Sequence, residues 1–156
     1  MTVLIFTVAL AIAWILGLVG VHAPGAPDGA ATAVLTLHWL LLIPYGLMFV
    51  MSGFMHTVAR KMTAANIGWE SSPFQIELGY VCYGMGLSAI LASFLNQDTW
   101  IVLAIILTIF SFGASALHIQ EMIQKKNYAL GNTFVLISNF ALPISLWALF
   151  FPANVL

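Results

Sequence analysis

The sequence predicts an all-α integral membrane protein, folded as one bundle of five transmembrane helices in a single domain, 1–156. Hydrophobic residues make up 62% of the 156 residues and charged residues only 6%, whereas soluble domains carry about 25% charged residues. So few charges cannot cover a water-facing surface, so the chain must face lipid. Five apolar segments approach or exceed the roughly 20 residues that a spanning helix needs: about 2–21, 31–55, 74–95, 99–119 and 131–151.

The first two segments and the connection after them follow from simple patterns. No Lys or Arg precedes the apolar core of 2–21, and that core exceeds the 7–15 residues usual in a signal peptide, so we expect a retained span. Pro44 should distort the second span, since proline lacks a backbone N–H. The connection 57–73 is long enough for a short helix at the membrane surface, with Trp69 as an interfacial anchor.

The third and fourth segments carry small residues at helical spacing, which is typical of close contacts between helices in lipid. In the third, Gly79, Cys82, Gly86, Ala89 and Ser93 form one face, and Gly84 and Ser88 form a second. In the fourth, Ser111, Ser115 and His118 share a stripe. The third span is therefore predicted to lie centrally in the bundle.

The basic residues predict the orientation. All four Lys and Arg residues lie in two connections: Arg60 and Lys61 follow the second span, and Lys125 and Lys126 follow the fourth. Five spans put both connections on one side, which the positive-inside rule makes cytoplasmic. We therefore expect a cytoplasmic N-terminus and an external C-terminus. A net charge of −1 and the small size of these clusters argue against nucleic acid as a partner.

Four polar residues, distant in sequence, are expected to gather at the cytoplasmic rim of the bundle. His56 ends the second span, Glu77 begins the third, His118 ends the fourth and Asn139 lies in the fifth. Polar and ionisable residues within spans are costly and often mark function. His56, Glu77 and His118 together have the chemistry of a metal site, and the whole cluster could instead relay protons or hold a polar headgroup.

Each member of this cluster also has a structural interpretation. The histidines can hydrogen-bond loop carbonyls, and Asn139 can join two helices. Glu77 can stabilise the N-terminus of its own helix, where the macrodipole favours a carboxylate, or it can pair with Arg60 or Lys61. No HExxH or CxxC motif strengthens a metal site, and the lone Cys82 excludes an intramolecular disulfide.

Two runs of sequence resemble a known family. IGWESSPFQIE, residues 67–77, and HIQEMIQKKNYALGN, residues 118–132, together with Asn139 and Pro143, are similar to motifs of small bacterial multi-span membrane proteins classed as a domain of unknown function. The resemblance implies a helical fold in the bacterial inner membrane. It implies no activity and no catalytic residue.

Three functions are compatible with these patterns. Small size and short loops favour an accessory or interaction subunit, associated with a larger membrane complex or with further copies of the chain. The polar cluster favours a metal-, quinone- or lipid-binding membrane enzyme with a site at the cytoplasmic rim. A small transporter or proton path is the third, although the outer half of the bundle is nearly all apolar. The sequence names no cofactor.

Overall fold

The computed structural model describes residues 2–155. Within that range the chain is helical and has no strand. A π-helical segment, Leu41–Leu47, joins α2 to α3 without a break. The α-helices are α1 (Thr2–Leu18), α2 (Thr32–Leu40), α3 (Met48–Thr57), α4 (Arg60–Ile67), α5 (Phe74–Ala92), α6 (Asp98–Lys125) and α7 (Leu130–Phe150).

Four helical segments are long and apolar enough to cross a membrane, which indicates a multi-pass membrane protein. They are Thr32–Thr57, Phe74–Ala92, Asp98–Lys125 and Leu130–Phe150. Each overlaps a predicted span. Helix α1 is apolar but has 17 residues, fewer than the roughly 20 that cross the hydrocarbon core. Four of the five predicted spans therefore meet the length criterion.

The second span contains its π-helical segment at Pro44. Proline has no N–H to donate and its ring clashes with the carbonyl one turn earlier, so the backbone widens locally instead of continuing as a regular α-helix. Tyr45, buried beside it, donates its hydroxyl to the carbonyl oxygen of Leu103 at 3.0 Å. The distortion predicted at Pro44 therefore lies where this span is tied to α6.

The contact between α5 and the second span, at its π-helical segment and α3, depends on small residues, as predicted. Gly79, Cys82, Gly86, Ala89 and Ser93 are all buried. A Cβ atom at Gly86 would lie 2.7 Å from the carbonyl oxygen of Gly46 and 2.7 Å from the amide nitrogen of Val50. Because these are backbone atoms, the two helices can approach this closely only if residue 86 has no side chain.

The two basic connections lie at the same end of the bundle, as the sequence predicts. Asn127 donates its side-chain amide to the carbonyl oxygen of Ile67 at 2.8 Å, and a Cβ atom at Gly131 would lie 2.5 Å from the carbonyl oxygen of Asn66. We call this the basic end. Gly68 ends α4 with a φ of 71°, a conformation that favours glycine, and a Cβ there would meet Asn127.

Helix α6 continues six residues beyond its predicted end at residue 119, to Lys125. The extension carries good helix formers, and Lys125 pairs with Glu121 one turn earlier at 2.7 Å. The helix ends where Lys126 adopts a φ of 54°. The last turns of α6 therefore bring His118 and Glu121 onto one continuous helix.

The apolar core is close-packed toward the end opposite the basic end. Its fully buried side chains come from the start of the second span, the start of α6 and the end of α7; they include Leu37, Leu40, Tyr45, Trp100, Leu107, Leu146 and Phe150. Helix α5 packs on α3, and α6 packs on α7. A cavity lies between these two pairs, and residues of α4 at the basic end also line it.

Candidate functional site

A cavity of about 630 Å³ lies between α3 and α5 on one side and α6 and α7 on the other, and α4 also contributes to its wall. This volume falls within the range of pockets that bind small molecules and cofactors. Residues of α1, among them Phe6 and Leu10, complete the wall. The cavity is thus built from all the long helices of the bundle, although its residues are scattered from position 6 to position 142.

The wall is mainly apolar and rich in aromatic rings: Phe6, Phe49, Trp69, Phe74 and Phe110. Polar side chains also contribute, and several belong to the segments that meet at the basic end. They are Ser52, His56, Thr63, Glu70, Ser72, Gln75, Ser111, His118, Ser138 and Asn139. No Lys or Arg lines the cavity within residues 2–155. The arrangement suits a molecule with an apolar body and an uncharged polar group.

His118 is held by a network centred on Asn132, which is fully buried. The Nδ2 atom of Asn132 donates to the carbonyl oxygens of His118 at 3.2 Å and Asn127 at 3.0 Å. Its Oδ1 atom accepts the indole N–H of Trp69 at 3.0 Å and contacts Nδ1 of His118 at 2.7 Å. Because carbonyls only accept and an indole only donates, the orientation of the Asn132 amide is fixed.

His56 is held by a second amide, that of Gln75. The Nε2 atom of Gln75 donates to the carbonyl oxygen of Arg60 at 3.0 Å and lies 3.4 Å from Nδ1 of His56. Its Oε1 atom accepts the hydroxyl of Ser71 at 3.0 Å. The first residues of α5 thereby hold the end of α3, and one nitrogen of His56 is already occupied by a protein group.

Three of the four predicted site residues line the same cavity: His56, His118 and Asn139. Glu77 does not. It is exposed, in the first turn of α5, where a carboxylate is favoured by the helix dipole. The structure therefore corrects the predicted position of Glu77, because the α5 residues that face the cavity are Phe74, Gln75 and Leu78.

The same geometry bears on a metal site. Glu77 is exposed and lies outside the cavity that His56 and His118 line, so the three side chains do not share one pocket. Across residues 2–155, no group of three or more His, Cys, Asp or Glu side chains is placed to hold a metal ion.

Sequence reasoning missed the roles that three residues have in shaping this site: Trp69, Gln75 and Asn132. Trp69 was expected only to anchor the chain at the interface, yet its ring lies 5.1 Å from that of His118 and its N–H is bonded inside the protein. The GWESSPFQ run was the available signal. Two of the three residues lie in it, but nothing in the run itself shows which helices it meets.

Fold and cavity together define a helical multi-pass membrane protein with an internal cavity that has polar groups at one end. The chain belongs to a family of unknown function, DUF6790, whose family model matches residues 1–155. This confirms the resemblance inferred from the two motifs. No curated protein and no solved structure matches the chain.

Proposed function

We propose that the protein binds an amphipathic small molecule, a quinone or another lipid, in the cavity at its basic end. The observation that carries this proposal is the combination of about 630 Å³ of aromatic and aliphatic wall with hydrogen-bonding groups that include His56 and His118. Binding sites of this kind join a large apolar surface to a few placed polar groups. The polar groups would hold the head of the ligand, and the apolar wall would hold its chain.

The route into the cavity supports a ligand that comes from the bilayer. Phe74 of α5 and Ile109 and Leu117 of α6 line the cavity, yet they are also 75%, 71% and 54% exposed. The cavity therefore opens between α5 and α6, through a surface whose apolar side chains face lipid. A membrane-dissolved molecule could enter there without crossing water.

We further propose that α1 is a fifth span and that the basic end is cytoplasmic, in a bacterial inner membrane. Helix α1 is about 25 Å long at 1.5 Å per residue, and it packs against α7 and α2: Trp14 donates to Ser145 of α7 at 3.0 Å, and Gly17 lies against Thr36 of α2. The positive-inside rule then places both basic connections in the cytoplasm. Reporter fusions at the two termini test this, since five spans require opposite sides.

Photolabelling tests the binding proposal. The purified protein, in detergent, is irradiated with a fatty alcohol that carries a diazirine, and labelled peptides are identified by mass spectrometry. We expect labels on cavity residues such as Ser52 and Ser138. Ala114→Phe, which places a ring in the cavity, should abolish them. Ala116→Phe is the matched control, because Ala116 lies on the same helix but is exposed and outside the cavity.

The pattern of labels decides the outcome. Labels confined to the cavity and lost only in Ala114→Phe support the proposal. Labels spread evenly over the outer surface, unchanged by Ala114→Phe, would contradict it, because they would show only the general affinity of the probe for an apolar protein.

A second function, as an accessory subunit, is favoured by one specific observation. Gly84 and Ser88 form the second small-residue face of α5 and are exposed, and a Cβ atom at Gly84 would meet nothing within 4 Å. Such a stripe suits close contact with a helix of another membrane protein or of a second copy. Gly84→Leu should then weaken cross-linking between chains at Ser88→Cys, in a Cys82→Ser background, without loss of cavity labelling.

A further inference from the structure

We propose that the ligand of the cavity is a quinol, that is, an aromatic ring with two hydroxyl groups and an apolar chain, and that the site prefers it to the oxidised quinone. This inference rests on the proposed function and deepens it. It depends on which ring nitrogen of His56 and of His118 carries the proton, and the amide side chains beside the two rings determine this.

His118 presents a hydrogen-bond acceptor. Since Oδ1 of Asn132 can only accept, Nδ1 of His118 must donate across the 2.7 Å contact. In the neutral ring the other nitrogen, Nε2, then carries a lone pair. Within residues 2–155 this atom has no hydrogen-bond partner, although the ring is almost completely buried and lines the cavity. Nε2 is therefore the polar atom that His118 can offer to a ligand.

His56 presents a donor. The Nε2 atom of Gln75 is fixed as a donor by the carbonyl oxygen of Arg60, so Nδ1 of His56 accepts from it across 3.4 Å. The proton of the neutral His56 ring then lies on its Nε2 atom. The cavity is thus lined by two imidazole rings with complementary roles. His118 can accept a hydrogen bond, and His56 can donate one.

The walls restrict the head group further. No Lys or Arg lines the cavity in the described part of the chain, and its one carboxylate is Glu70, so a phosphate head would lack a counter-charge. The rings of Phe49, Trp69 and Phe110 supply flat apolar surfaces, against which a planar ring packs better than a glycerol ester. These features favour an uncharged aromatic head.

The quinol and quinone forms of such a head group differ in the hydrogen bonds that they can make with His56 and His118. A quinol hydroxyl donates its proton to Nε2 of His118, and its oxygen lone pairs accept the proton of His56. The oxygens of a quinone only accept, so Nε2 of His118 would stay unpaired against the bound head group. An unpaired buried acceptor costs enough to weaken binding about tenfold or more.

A competition experiment tests this preference. The diazirine probe is displaced, without oxygen, by a benzoquinone with a ten-carbon chain, or by the same compound in its reduced form. We expect the quinol to displace the probe at about one-tenth of the quinone concentration or less. His118→Phe should reduce this ratio to near one, mainly by weakening the quinol. Ala116→Phe, outside the cavity, should leave the ratio unchanged.

Each outcome separates this inference from the proposed function. If the probe labels the cavity and neither compound displaces it, or both do so equally, the quinol inference is wrong and the binding function stands. A preference for the quinone, or a preference for the quinol that persists in His118→Phe, also overturns it. If the probe does not label the cavity at all, both proposals fail together.

Discussion

Replacement of Asn132 by alanine should destabilise the protein by about 3 kcal/mol. Asn132 forms four hydrogen bonds of 2.7 to 3.2 Å, to Trp69, His118 and the carbonyl of Asn127. Alanine leaves the N–H groups of Trp69 and His118 without an acceptor, at about 1–3 kcal/mol each. Together the two groups give a range of about 2–6 kcal/mol. Individual hydrogen bonds in membrane proteins average only about 0.6 kcal/mol, so we expect a loss in the lower part of that range.

Asn139→Ala is the matched control for this measurement. Asn139 lies on the same helix and is only partly buried. Its side chain has no hydrogen bond to the described residues. We expect its replacement to change the free energy of unfolding by less than about 1 kcal/mol. Unfolding is followed by circular dichroism as sodium dodecyl sulfate is added to detergent micelles. If Asn132→Ala lowers the free energy of unfolding no more than Asn139→Ala does, the network does not stabilise the basic end. The proton position assigned to His118 would then be unsupported.

Three further predictions follow from the same contacts. Gly86→Ala should cost about 1–3 kcal/mol of unfolding free energy by overpacking, because its Cβ would meet backbone, whereas Gly84→Ala should be neutral or mildly stabilising; equal effects would contradict the α3–α5 packing. Glu77→Gln should leave photolabelling of the cavity unchanged and cost at most about 1 kcal/mol; loss of labelling would return Glu77 to the site. Asn132→Asp should reverse the ligand preference, since a carboxylate stabilises His118 as an imidazolium whose Nε2–H suits a quinone; the displacement ratio of the two compounds measures this, and an unchanged ratio argues against it.

The sequence predicted four long apolar helices and the placement of both basic connections at one end, since both depend on local chemistry. Long apolar runs fix where helices form, and the loops with Arg60, Lys61, Lys125 and Lys126 lie together as predicted. The small-residue face of α5 was also read correctly, because spacing at three and four residues places side chains on one side of any helix.

Glu77 shows where such reasoning stops. Its level in the bundle followed from its position in the chain, but its direction did not, because α5 is apolar on most of its circumference and two small-residue faces competed for the interior. Gln75, two residues earlier, faces the cavity instead. Successive residues are rotated by about 100° around a helix, so Gln75 and Glu77 point to nearly opposite sides of α5. The packing of α5 against α3 determines which of the two sides faces the cavity.

By itself, then, the sequence determined that the chain is a helical bundle suited to a membrane, with all four Lys and Arg residues in two connections at one end, because composition and hydrophobic run length do not depend on how the helices meet. The tertiary structure alone decided that a cavity lies between α5 and α6, that Trp69 and Asn132 hold His118, and that Gln75 holds His56. These contacts join residues up to 63 positions apart, and they depend on which side of each helix faces inward, which the close approach of glycine-bearing helices determines.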